Sequence, residues 1–189
     1  MTKAMSTGET TYETERLRLE PLRVGHAAEM FELLSDDRLY RFVPRDPPAS
    51  RTALAARFER LEVRRSMGGE EAWLNWVLRS RANGRCMGRV EVTVRRDGTA
   101  LFAYELGVDF WGQGFAAEAC GRVLEALFEE LGVARVIAEV DTRNAASIRL
   151  LGRLGFRRTE LRTEADFFKG ASSDEFMYEL VQGAGNTTR

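Results

Sequence analysis

Leu101–Leu131, LFAYELGVDFWGQGFAAEACGRVLEALFEEL, is the segment around which the rest of the chain is organised. It predicts a strand, a tight turn with glycines at Gly112 and Gly114, and an amphipathic helix. Cys120, Val123, Leu124, Leu127, Phe128 and Leu131 recur at helical spacing. Glu118, Arg122, Glu125 and Glu129 fall on the opposite face, where Glu118 and Arg122 are expected to pair one turn apart. The two glycines remove side chains where the first unpaired amides of the helix point outward. Those donors, with the positive end of the helix dipole, suit a phosphate or pyrophosphate.

Two kinds of protein use such a cradle. Gly112, Gly114 and Ala117 spell G-x-G-x-x-A, the dinucleotide fingerprint, and Asp141 follows the next strand. That architecture needs repeated parallel strand–helix units, and this chain offers one, preceded by hairpins. The plain alternative is a glycine turn between a strand and a core helix.

The whole chain sets the bounds. Its 189 residues with 44% hydrophobic content suffice for one domain with a real core. A net charge of -1 gives no global basic field for nucleic acid or a membrane surface. Lys3 and Lys169 are the only lysines, an arginine bias attributed to base composition. Cys86 and Cys120 stand alone beside apolar residues, which predicts a reducing compartment and no disulfide framework. No signal-peptide core and no membrane-length apolar run is visible, so a cytoplasmic location is expected.

Residues 1–14 are polar and expected to be frayed, 15–182 to form a single domain, and 183–189 to be a flexible tail. Thr14–Leu22 alternates as a half-buried strand ended by Pro21, and Gly25–Asp37 carries Met30, Phe31, Leu33 and Leu34 at helical spacing. His26, the only histidine, has no Glu-x-x-His partner and reads as a surface residue, with no metal expected. The break Val43-Pro44-Arg45-Asp46-Pro47-Pro48 leads to a second helix with Leu54, Phe58 and Leu61 on one face. It is either a loop over an acceptor site or a connector. Trp73–Arg79 and Cys86–Arg95 flank the Asn83-Gly84 turn, and Asp97-Gly98 leads to the strand at Leu101, giving an antiparallel meander. Arg135–Val140 then returns parallel through a strand–helix–strand crossover. Asn144 caps a last helix through Leu154, Gly155 ends it, and Phe156–Arg162 and Glu175–Leu180 close the fold as an antiparallel pair. No internal repeat is visible.

The meander, the W-G-x-G-x-A turn at Trp111–Ala116, one parallel strand, N-x-x-S at Asn144–Ser147 and L-G-F at Leu154–Phe156 together resemble the GNAT superfamily of acetyl-CoA-dependent N-acetyltransferases. T-E-R-L-R-L at Thr14–Leu19 and Y-E-L-G-V-D-F-W-G-Q-G-F-A-A-E-A at Tyr104–Ala119 resemble its ribosomal-protein (RimJ/RimL-like) branch. The resemblance runs from about Glu13 to Leu180. It implies an α+β fold: a mixed, mostly antiparallel sheet with one parallel unit and helices on both faces. One departure is Trp111, which stands where the superfamily has Gln or Arg and leaves pyrophosphate binding to backbone groups. Acetyl-CoA contacts are implied at Leu106, Gly107, Val108, Gly112, Gln113, Gly114, Phe115, Ala116, Asn144 and Ser147.

The chemistry is attack of a neutral amine on a thioester. Free α-amino groups titrate near ~8 and lysine near ~10.4, so a base or water route should take the proton. Glu105 is the first candidate, on the strand that resembles the family's cofactor-lining strand, against the alternative of an ion-paired strand glutamate. Glu91, Glu160 and Asp174 are the reserves. The resemblance implies an oxyanion donor in the backbone N–H near Val108. It implies that Ser147 serves the cofactor sulfur and Asn144 the pantetheine arm; both also suit a helix start. No Cys–His or Ser–His–Asp pattern suggests a covalent intermediate, so transfer is direct. Three functions follow: an N-acetyltransferase acting on a protein N-terminus or small-molecule amine, as a possible homodimer; a non-catalytic acyl-CoA sensor; and a dinucleotide-dependent oxidoreductase.

Overall fold

The computed structural model describes residues 8–183; the rest of both expected termini, 1–7 and 184–189, lies outside them. Strands β1 (Tyr12–Glu13) and β2 (Leu17–Pro21) precede helices α1 (His26–Leu34) and α2 (Arg51–Glu62). Then come β3 (Glu71–Ser80), β4 (Cys86–Arg95), β5 (Thr99–Leu106), α3 (Phe115–Glu129), β6 (Arg135–Asp141), α4 (Ala145–Arg153), β7 (Arg157–Phe168) and β8 (Ala171–Val181). They form one eight-stranded sheet in the order β1-β2-β3-β4-β5-β6-β8-β7. Among the described residues, only β5 and β6 pair in parallel.

Both faces of the sheet are covered, which explains why β3 is buried without interruption from Leu74 to Leu78. On one face Leu74, Trp76, Val90, Val92 and Phe102 pack against Cys120, Val123 and Leu127 of α3 and Leu151 of α4. On the other, Val77 meets Met30 and Leu34 of α1 and Leu54 and Phe58 of α2. A mixed sheet with a single parallel pair removes the dinucleotide alternative. Asp141 is also already engaged: burial opposes its charge, but hydrogen bonds from Arg143 and Ser173 win and hold its carboxyl down at about 2. Among the described residues, no helix is long and apolar enough to cross a membrane.

Three local expectations change. Tyr12 and Glu13, inside the stretch expected to be frayed, pair with β2. Tyr12 is buried 5.8 Å from the Trp76 ring, and its hydroxyl donates to Glu130 at 2.9 Å. Glu118 pairs not with Arg122 but with Arg16 at 2.6 Å, while Arg122 turns to Glu125 and Glu130. The closing hairpin is longer than expected because β7 is exposed along most of its length. A strand with no buried face carries no hydrophobic period to read.

Candidate active site

β5 and β6 keep register only at Thr99–Arg135, Ala100–Val136 and Leu101–Ile137. Beyond that point they part, leaving that edge of β5 unpaired. The N-termini of α3 and α4 follow the C-terminal ends of these two strands, which is where ligands bind in parallel units.

The turn into α3 supplies the first wall. Leu106 ends β5, Gly107 donates its N–H to Met87 at 2.8 Å, and Val108 opens a short 3₁₀ turn. A Cβ on Gly107 would meet Leu33 of α1 at 2.9 Å, so glycine lets the turn sit against that helix. Gly114 caps α3 with φ 85°, a left-handed conformation that favours glycine. Among the described residues, the amides of Val108, Gly112, Gln113, Gly114, Phe115 and Ala116 have no hydrogen-bond partner. The space over Gly112 is open to 4 Å. A row of free amides at a helix start, open over Gly112 and flanked at Gly114 by the Arg16 guanidinium, fits a diphosphate. Gln113 turns its side chain to the Asp109 carbonyl at 2.8 Å, and Trp111 donates to Leu106 at 2.6 Å, so neither side chain enters the cradle as a cation would.

Arg16 fastens this turn from across the sheet. It donates from Nη1 to the Gln113 carbonyl at 2.9 Å, pairs through Nε with Glu118, and stacks 4.3 Å from the Phe115 ring centroid. The Glu118 carboxylate also accepts from the Arg16 backbone at 2.8 Å and from the Thr14 hydroxyl at 2.5 Å. Burial opposes its charge, but these donors hold its carboxyl below the usual range.

The second wall is the start of α4. Asn144 Oδ1 accepts from the Ser147 amide at 3.1 Å, a cap that leaves its side-chain nitrogen free among the described residues. Tyr104 of β5 donates to Ser147 Oγ at 2.9 Å, an interaction invisible in the sequence.

Glu105 points to the other face. Its side chain is 10% exposed and bonded at 2.6 Å by the fully buried Arg89. Arg45, from the proline-rich loop, holds its second oxygen. Glu91 completes the cluster, 2.8 Å from Arg89 as an ion pair without hydrogen-bonding geometry, 3.2 Å from Arg57 and 4.0 Å from Arg45. Burial works against the Glu91 charge, yet the Arg89, Arg57 and Arg45 guanidiniums outweigh it and hold its carboxyl low. Burial pushes Arg89 down to about 10.

The cluster borders a cleft of about 440 Å³ between the loop residues Val43 and Pro44 and Asp166 and Glu175 of the closing hairpin, with Ala103 and Glu139 also lining it. The proline-rich break is therefore a wall of this cleft, not a plain connector. Burial, then the charges of Glu139 and Asp166, raises the Glu175 carboxyl. The cleft meets the splayed strands at Leu101 and Ile137. The reserve carboxylates separate: Glu91 lines the cleft, Glu160 pairs with Arg162 on exposed β7, and Asp174 accepts from the Glu164 amide inside the hairpin. His26 accepts from the Arg23 amide at 2.9 Å and serves the start of α1. Among the described residues, no group of three His, Cys, Asp or Glu is placed to hold a metal.

Residues 16–157 match the model of the acetyltransferase (GNAT) domain. The uncharacterized N-acetyltransferase p20 of Bacillus licheniformis is 34% identical over 88 residues, 47% of this chain and 49% of that protein, so the match spans about half of each. The uncharacterized N-acetyltransferase YoaA of Bacillus subtilis (strain 168) is 25% identical over 172 residues, 90% of this chain and 96% of that one. Among solved structures, Mycobacterium smegmatis RimJ in complex with CoA-disulfide has a TM-score of 0.77 at 20% identity, covering 88% of this chain and 82% of that one. That likeness shows the fold.

Proposed function

Because the chain belongs to the GNAT acetyltransferase family, we propose that it moves acetyl from acetyl-CoA directly to a primary amine, on a protein N-terminus or a small molecule. The observation that carries this reading is the gap between β5 and β6, walled by the free amides of residues 112–116 and by Asn144 and Ser147, and opening onto the cleft lined by Glu91 of the cluster that also holds Glu105. The amides hold the diphosphate, and the free Asn144 nitrogen contacts the pantetheine arm. The CoA found with RimJ supports the choice of cofactor.

In the reaction the neutral amine nitrogen forms a bond to the acetyl carbon and the C–S bond breaks, its electron pair leaving on sulfur. The unpaired Val108 N–H serves the oxyanion, and the Ser147 hydroxyl serves the leaving thiolate. The amine proton leaves through Glu105, directly or by water. Glu105 is held by Arg89 and Arg45, so an acceptor ammonium reaches it by taking the place of Arg45.

That same ion pairing favours a second reading, an acyl-CoA-binding sensor with no transfer activity. Calorimetry with acetyl-CoA and NAD tests the cofactor, and thiol release with a panel of primary amines separates enzyme from sensor. Binding of acetyl-CoA with no amine-dependent release would leave the sensor standing.

A further inference from the structure

Successive residues of β5 serve opposite faces of the sheet. Glu105 joins the arginine cluster on the acceptor face, while Tyr104 points to the face covered by α3 and α4, where it packs against the main core. Its hydroxyl has one partner among the described residues, Ser147 Oγ at 2.9 Å. Burial pushes the phenol up to about 12, so Tyr104 stays protonated across the working range and its O–H is available to donate. The Ser147 amide is meanwhile fixed by Asn144. Two neighbours thus hold one serine, at its backbone and at its oxygen.

The direction of the second bond has a consequence. With Oγ accepting from Tyr104, the serine's own hydrogen is free to point away, and a hydroxyl that accepts one bond is a better donor in the next. We infer that Tyr104 is a positioning residue for acetyl transfer, holding the Ser147 hydroxyl as a donor toward the departing thiolate. No proton needs to change hands between them. A thiol near ~8.5 is a stronger acid than either hydroxyl, so the pair stabilises the thiolate by hydrogen bonding and solvent protonates it afterwards. The inference rests on the proposed role of Ser147.

The test is a double-mutant cycle in the full chain with acetyl-CoA and one accepted amine. Ser147→Ala should lower kcat roughly 10- to 100-fold, the range for a hydrogen bond to a charged group, with KM for acetyl-CoA nearly unchanged. Tyr104→Phe, which keeps the ring and its packing, should lower kcat about 3- to 30-fold with the same KM. The double variant should be no slower than Ser147→Ala. It should also melt higher than Ser147→Ala, which leaves a half-buried phenol without its partner. Losses that multiply in the double variant would overturn the inference, as would a Tyr104→Phe that melts lower but turns over normally. A silent Ser147→Ala would instead remove the role of Ser147 itself, and the inference with it.

Discussion

The two ends of the site are built from different materials. The proposed cofactor end is backbone: free amides of a glycine turn and a capped helix start, with Gln113 and Trp111 turned to carbonyls of their own loop. The proposed acceptor end is side chain: three arginines and two glutamates from a loop, a helix and two strands, joined in a half-buried cluster around Arg89. Backbone groups are fixed once the fold is fixed, and they suit a cofactor that never changes. A charge cluster can be retuned by single substitutions, and it suits the variable half of the reaction. The cluster's arithmetic is also uneven, with three guanidiniums against two carboxylates, yet the charged groups that line the cleft itself are Glu91, Glu139, Asp166 and Glu175, a lining that attracts a cation.

The contrast breaks most visibly at Glu105. If it takes the amine proton, Glu105→Gln should lower kcat/KM about 10²- to 10⁴-fold near neutral pH, with partial recovery at high pH where solvent has already deprotonated the amine. The kcat/KM–pH profiles of wild type and variant decide it. Parallel profiles would make Glu105 a strut of the cluster and pass the role to Glu91, the cluster carboxylate that lines the cleft.

Arg89→Met sharpens the comparison from the stability side. Removing Arg89 takes the most buried cation from Glu105 and Glu91 and leaves them to Arg45 and Arg57, and breaking a buried pair costs up to about 3–5 kcal/mol. Urea unfolding should show that loss, whereas Glu105→Gln, which keeps its shape and one hydrogen bond, should cost less. A mild Arg89→Met would mean that water reaches the cluster.

At the cofactor end the expected effects are smaller and fall on affinity. Gly114→Val forces a branched residue to a φ of 85° and sets its Cβ 3.3 Å from Arg16. It should weaken acetyl-CoA binding about 10- to 100-fold by calorimetry, and Gln113→Ala should change it less than about twofold. Equal losses would move the diphosphate away from the turn.

What the sequence could show follows the same division. Gly112, Gly114, Asn144 and Ser147 are legible because a glycine turn and a helix cap are local, and the meander follows from paired turn signals. The arginine cluster was partly within reach, since strand alternation puts Arg89 and Glu91 on one face of β4 and Glu105 opposite Arg89 in the register. Arg45 and Arg57 were not, because their approach depends on how the loop and α2 dock. The parting of β5 from β6 after Leu101 is a property of pairing between distant segments and leaves no mark on either. Tyr104 was passed over because its neighbour Glu105 drew the chemistry, although alternation alone sends the two to opposite faces. Arg16, which in sequence is one polar residue of an alternating strand, meets Gln113 across 97 positions.

That last contact gives the smallest and most discriminating prediction. Glu118 lies in the first turn of α3, favourable to the helix dipole but repulsive to a diphosphate on the same amides. Arg16 covers the carboxylate through its backbone and guanidinium, so the cradle need not face a bare negative charge. Arg16→Gln uncovers it. At a partly solvated site the repulsion is worth about 1 kcal/mol, so KM for acetyl-CoA should rise roughly 3- to 6-fold with kcat little changed. Adding Glu118→Gln should restore most of that affinity, because the charge to be covered is gone. S-acetylpantetheine, which has no diphosphate, should not distinguish the variants. Added salt should shrink the effect. If the loss persists in the double variant, Arg16 touches the diphosphate itself, and the cofactor end would depend on a side-chain cation after all.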